Sequence, residues 1–133
     1  MPGWLRVGFL VHGLLIMHAG IFLFLDSARM IPVWPWALTA LTARAVGTWL
    51  AAYGLACLAV ARENDPLTSS GTVSSLFAFC ILQLLVVVLY FSTIDWTKPL
   101  AWLYIVLLLA GVGCTVAALR SSRGELAAAS RTA

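Results

Sequence analysis

Residues 31–49 read IPVWPWALTALTARAVGTW. The stretch lies between apolar runs and is neither a tight turn nor a loose polar tail; it carries three tryptophans, two prolines and two Leu-Thr pairs. An apolar run over residues 4–25 precedes it. It leads straight into a second run at 43–61, and two more follow at 72–92 and 99–119. Each is close to the roughly 20 residues that cross a bilayer core. No run alternates with period two. In lipid a backbone must satisfy its N–H and C=O groups within its own segment, so the runs predict helices and not strands. The expected fold is an all-α membrane protein, an up-down four-transmembrane-helix bundle over residues 1–120. The Trp/Pro-rich stretch would cap it on the extracytoplasmic side between helices one and two, and residues 121–133 would form a short cytoplasmic tail.

Composition points the same way. The 133 residues are 62% hydrophobic and 10% charged, where soluble domains carry about 25% charged residues. So few charges cannot coat a water-facing surface, and lipid must be the main solvent. The net charge of +3 is small and scattered, which argues against nucleic acid as a partner. Cys57, Cys80 and Cys114 all lie in apolar runs with no CxxC pair; they read as packing residues and not as a disulfide framework. The first run is longer than the roughly 7–15-residue core of a signal peptide, and no small-residue cleavage site follows, so it predicts a membrane helix.

Charged residues near the helix ends set orientation. Arg6, Arg62, Arg120, Arg123 and Arg131 fall on one side, and Arg29, Arg44 and Lys98 on the other. The excess places both termini and the 62–71 loop in the cytoplasm.

Several residues stand out along the chain. At 100° per residue, Gly8, His12 and Ala19 share a face of the first helix with Gly13 and Gly20 beside them, while His18 points elsewhere. Small residues allow close helix approach in lipid, so the His12 face should look inward. Gly47, Ala51 and Gly54 make a similar seam on the second helix, and Ala110, Gly113 and Ala117 on the fourth. Trp34 and Trp36 suit a membrane–water interface, with an apolar body and a wet N–H. Thr42 is a plausible N-cap for the second helix, with Thr39 as a rival start. Arg44 would then fall in the first turn, against the helix dipole, and is expected to pair with Asp26 or Asp95 unless each is solvated separately. Gln83 lies near mid-membrane, where an amide is costly unless paired, so it should face protein. The SRGE stretch at 122–125 is a weak capping box that would start a surface helix or leave a disordered tail.

Three kinds of chemistry are open. His12 and His18 lie on different faces of one helix, about 9 Å apart along its axis, so a single chain cannot bring both to one haem, although a dimer or partner subunit could. His12, Cys57, Cys80 and Cys114 share a depth, but four helices would each have to aim correctly to hold a metal, and no metal site is assigned. His18, Tyr53 and Gln83 share a mid-membrane layer that would either line a cavity for a quinone or lipid or tie the bundle by hydrogen bonds. No nucleophile elbow, P-loop, dinucleotide fingerprint or HExxH is present. No helix carries a central carboxylate, which argues against a proton-coupled transporter.

Residues 34–49, WPWALTALTARAVGTW, resemble the signature of a group of small bacterial four-span membrane proteins of uncharacterised function, approximately WPWxLTPLTxRxxGxW. Ala40 stands where a proline is usual. The resemblance marks Trp34, Trp36, Thr39, Thr42, Arg44 and Gly47, and implies a bacterial inner membrane. The layout is also loosely similar to DoxX-like four-helix membrane proteins, without the acidic residue usual in their second helix. The leading functional expectation is a non-enzymatic accessory or scaffold subunit, packing against membrane lipids, other membrane proteins or a second copy. The alternative is a protein binding a quinone, haem or lipid near His18, Tyr53 and Gln83, with His12 a further candidate. An enzyme acting at the outer interface through Arg44 and Asp26 ranks third.

Overall fold

Long helices form over all four apolar runs, as continuous Leu-, Val- and Ala-rich segments without internal proline should. The computed structural model describes residues 1–63, 65 and 68–132, with side chains through Ser122. Asn64, Pro66 and Leu67 of the polar connector lie outside the described residues. Helix α1 spans Gly3–Leu25, the short α2 Ser27–Met30, α3 Ala40–Glu63, α4 Ser70–Leu89 and α5 Pro99–Thr132. Single 3-10 turns cover Ile31–Val33 and Phe91–Thr93. Helices α1, α3, α4 and the Pro99–Ser122 part of α5 are long and apolar enough to cross a membrane. The regular structure of the described residues is all helical.

Helix α3 starts three residues before the expected 43. The Thr42 N–H donates to Thr39 Oγ1 at 3.2 Å, and the Thr39 N–H donates to Thr42 Oγ1 at 2.8 Å. This is a reciprocal capping box with threonine in the place of the usual Glu or Gln, and Thr39 is the cap. The earlier start moves Arg44 out of the first turn, where most of the dipole penalty acts. Arg44 is exposed and makes no ion pair among the described residues. Asp26 takes Arg29 instead, at 3.3 Å, and Asp95 takes Lys98 at 3.9 Å. Neither expected partner of Arg44 is therefore used, because each aspartate finds a cation three residues along its own turn. Such exposed pairs contribute little. Thr39→Ala should cost about 1 kcal/mol, read as a lower thermal midpoint in detergent, and Thr39→Ser should recover most of it.

Helices α1 and α3 touch backbone to backbone. A Cβ on Gly20 would lie 2.5 Å from Ala51 N, and one on Gly54 2.6 Å from both Gly13 O and Met17 N. Position 20 faces 47 and 51 while 13 faces 54 and 57, so the pair is antiparallel. Glycine provides the approach that dispersion needs to hold helices together in lipid. At the far end of the pair, Arg6 Nε donates to the Ala61 carbonyl at 3.1 Å, meeting a carbonyl near the negative end of α3.

Helix α5 uses only part of the expected seam. Ala117 is half-buried against the core, while Ala110 and Gly113 are exposed. Ala101, Leu108, Gly111, Thr115 and Ala118 are buried instead, a stripe of helical spacing that includes neither. Thr115 Oγ1 donates to the Gly111 carbonyl at 2.8 Å, so its hydroxyl can be buried without being stranded. The helix continues unbroken through the 122–125 stretch. The Ser122 hydroxyl bonds back to the Leu119 carbonyl at 2.9 Å, an interior-helix pattern and not a cap.

The links at the other end are tied together. Trp34 is extended, as a residue before proline should be. Lys98 Nζ donates to the Trp34 carbonyl at 2.7 Å, and the Asp95 N–H donates to the Pro35 carbonyl at 2.7 Å. Asp95 also accepts from the Thr97 hydroxyl at 2.6 Å and the Thr97 N–H at 3.1 Å; these bonds hold its carboxyl below the usual range. Trp34 does not sit at a wet interface. It is 4% exposed and packs with Leu23 and Ala43, because the Lys98 and Asp95 bonds hold its segment down on the helices.

Candidate functional site

The three residues expected to share a polar layer are not brought together. His18 is six residues, about 120° of helix, from His12. It lies on the exposed face of α1, where its Nδ1–H donates to the Leu14 carbonyl of its own helix at 2.7 Å. Tyr53 is buried. Its ring meets His12 edge-on at 5.8 Å and Phe79 at 4.9 Å, and its hydroxyl lies 3.1 Å from Cys80 Sγ. Gln83 is half-buried and accepts from the Tyr104 hydroxyl at 2.9 Å. Two polar spots result, and His18 belongs to neither.

The first spot gathers α1, α3 and α4 on Gly111 of α5. A Cβ there would lie 2.8 Å from Cys80 Sγ, 3.0 Å from Tyr53 OH and 3.1 Å from His12 Nε2. Glycine is what lets these three side chains share one place. His12 Nε2 is buried and has no hydrogen-bond partner among the described residues. Cys57 packs beside Gly13 in the same layer, and Cys114 lies against Gly8. The shared depth of these residues is real, but among the described residues no group of three or more His, Cys, Asp or Glu is placed to hold a metal ion.

The second spot is a groove. Helices α3 and α4 leave a space of about 340 Å³ between them, walled by Val46, Trp49, Leu50 and Phe79, with Gln83 and Tyr104 meeting at its floor. Trp36 also lines it and stands edge-on to Tyr104 at 5.4 Å. A neighbouring hollow of about 320 Å³, running under Thr93 and Ile94, shares Trp36, Gln83 and Tyr104 with it. Behind Tyr104, between α1 and α5, is a narrower cavity of about 70 Å³, lined by His12, Ile16, Ala19, Trp34, Leu103 and Leu107 among others. Small-molecule sites occupy about 300–1,000 Å³, so the groove has ligand size and the narrow cavity does not. Trp36, which lines two of these spaces, also meets Trp34 at 5.2 Å.

Tyr104 was not apparent as a site residue from the sequence, yet it lines all three spaces. One signal was present: a buried phenol needs a hydrogen-bond partner, and Gln83 is the one amide side chain within the four spans. Asp26, Arg44, Thr39 and Thr42 line none of the three spaces. Gly47 is part of the α1–α3 contact, its Cβ position 2.7 Å from Gly20 O.

Four helices long and apolar enough to span, around aromatic-walled spaces, define an all-α candidate multi-pass membrane protein. No protein-family model, curated protein or solved structure matches this chain.

Proposed function

We propose that this chain is a four-span protein of a bacterial inner membrane that holds an apolar molecule with oxygen acceptors, a quinone or a lipid, in the groove between α3 and α4. In this reading the helices form an up-down bundle with cytoplasmic termini, and the 26–39 segment is its extracytoplasmic cap. The observation that carries it is the Gln83–Tyr104 pair on the floor of an otherwise apolar groove of ligand size. With its Oε1 taken by Tyr104, Gln83 keeps its amide N–H donors for a ligand carbonyl, the amide orientation being the one the hydrogen bond requires. Trp36, Trp49 and Phe79 supply ring faces and edges. The groove residues include no carboxylate, histidine or thiol, which supports binding over catalysis. The site so proposed replaces His18 and Tyr53 by Trp36 and Tyr104 and keeps Gln83. The same reading groups the chain with the small four-span proteins that its 34–49 stretch resembles, with Trp36 as the marked residue that meets the ligand.

Titration of the protein in lipid nanodiscs with a decyl-substituted benzoquinone tests this. Saturable quenching of tryptophan fluorescence at one site per chain is the expected result. No saturable quenching, together with no small molecule extractable from natively purified protein, would refute it.

One observation favours an accessory-subunit role beside it. Ala110 and Gly113 are exposed on α5, and a Cβ on Gly113 would meet nothing within 4 Å. A small-residue face left open in this way suits another membrane helix, from a partner or a second copy. Gly113→Ile should then lower the apparent mass of the complex purified in mild detergent, and an unchanged mass would argue against it.

A further inference from the structure

Taking the α3–α4 groove as the binding site, we infer that its ligand is a para-quinone and not a glycerolipid, held at both carbonyls: one accepts from the Gln83 amide N–H and the other from the Trp36 indole N–H. Trp36 lines both the groove and the neighbouring hollow, together with Gln83 and Tyr104. It is half-buried, and its indole N–H donates to no acceptor among the described residues. Unlike the indole nitrogen of Trp34, that of Trp36 is not sealed from its surroundings. An indole N–H can only donate. Trp36 stands 5.4 Å from Tyr104, ring to ring, and the Tyr104 hydroxyl lies 2.9 Å from Gln83 Oε1, so both donors belong to one compact group of side chains. The carbonyls of a para-quinone project from opposite sides of its ring and ask for two separate donors.

Depth separates the quinone from the glycerolipid. Helix α4 has 20 residues, a rise of about 30 Å, which matches the hydrocarbon core of a bilayer. Its ends therefore lie at the borders of that core. Gln83 precedes the end of α4 at Leu89, and Tyr104 follows the start of α5 at Pro99, each by about 8 Å of helix rise. The ester carbonyls of a glycerolipid sit at the border, with the phosphate beyond them. To meet the Gln83 N–H, an ester would have to sink by about the same 8 Å and draw its phosphate into hydrocarbon, where charge is costly. A quinone has no charge, and its carbonyls travel within the core.

The two spaces accommodate one such molecule. The ring sits where they share Trp36, Gln83 and Tyr104, and the hollow of about 320 Å³ extends from there to Thr93 and Ile94 at the helix ends. The groove of about 340 Å³ runs the other way to Leu50 and Phe79, past Trp49, which is 67% exposed. Helices α3 and α4 meet only sparsely, so an alkyl chain can leave between them into the bilayer.

The test is fluorescence titration of the full chain in nanodiscs with decyl-substituted benzoquinone, and competition against it by decyl phenyl ketone, which has one carbonyl. Trp49 remains as reporter in every variant. Trp36→Phe, which keeps an aromatic ring and removes the donor, should weaken the quinone about three- to tenfold, the loss of one hydrogen bond. It should leave the phenyl ketone within about twofold, since that ligand needs only Gln83. Equal weakening of both ligands would make Trp36 a structural wall, and unchanged quinone affinity would make it a bystander; either overturns the two-donor assignment while the groove stands as a site. Displacement of the quinone by dioleoyl phosphatidylglycerol at equal concentration would overturn it in favour of a lipid. No saturable binding of any of these ligands would refute the groove itself. If Trp36→Phe does not fold, the wild type decides: the quinone should bind about three- to tenfold tighter than the phenyl ketone, and equal affinities would overturn the assignment.

Discussion

Gly54→Ala should destabilise the protein by about 3 kcal/mol, the upper part of the range for overpacking a tight contact. The added methyl would lie 2.6 Å from Gly13 O and 2.6 Å from Met17 N. Both are backbone atoms of a helix, so no rotamer change can move them. Relief requires α1 and α3 to part. Parting would also loosen the contacts above, where the Cβ positions of Gly20 and Gly47 already lie 2.5 Å from Ala51 N and 2.7 Å from Gly20 O. The penalty therefore falls on the whole seam. Gly113→Ala on α5 is the control, since its Cβ meets nothing within 4 Å. It should be neutral or stabilising by up to about 1 kcal/mol, the helix-propensity gain of alanine over glycine. Thermal or SDS unfolding in detergent measures both, and equal midpoints for the two variants would show that the α1–α3 contact is not as tight as described.

Gln83→Leu should lower affinity for the decyl-substituted benzoquinone about ten- to thirtyfold, or roughly 1.4–2 kcal/mol. Leucine keeps most of the wall but removes the amide donor. The ligand carbonyl would then enter an apolar groove without a partner, and a site built for a hydrogen bond discriminates strongly when that bond is missing. The Tyr104 hydroxyl, now 2.9 Å from Gln83 Oε1, would lose its acceptor as well. Tyr104→Phe should do less harm, because the Gln83 amide would remain and its oxygen would be released. Fluorescence titration of the three proteins in nanodiscs gives the order. Wild-type affinity in Gln83→Leu would remove the groove as the binding site.

The small-residue faces of α1 and α3 were legible in the sequence, but which helices they would meet was not, since the like pattern at Ala110 and Gly113 of α5 is exposed. Gly47, Ala51 and Gly54 recur at helical spacing, as do Gly13 and Gly20, and each set includes residues buried at the contact. The site was legible only in part. Gln83 was visible because an amide among leucines and valines must find a partner. Tyr104 was not, because a tyrosine in an apolar run can equally sit at an interface. Trp34 and Trp36 read alike in sequence, yet one is buried with an unpartnered N–H and the other walls a groove.

Hydropathy and length, which act within each segment, determined four helices, their approximate bounds and the inward face of α1, because a helix in lipid satisfies its own backbone. The meeting of side chains from different helices required rotation and depth to be set between segments. Two residues of phase, about 200° of helix, put Gly111 and not Gly113 against His12, Tyr53 and Cys80. The bonds from Lys98 and Asp95 drew Trp34 and Pro35 down onto the bundle. Those offsets depend on contacts between residues distant in sequence, which no periodicity within one run contains.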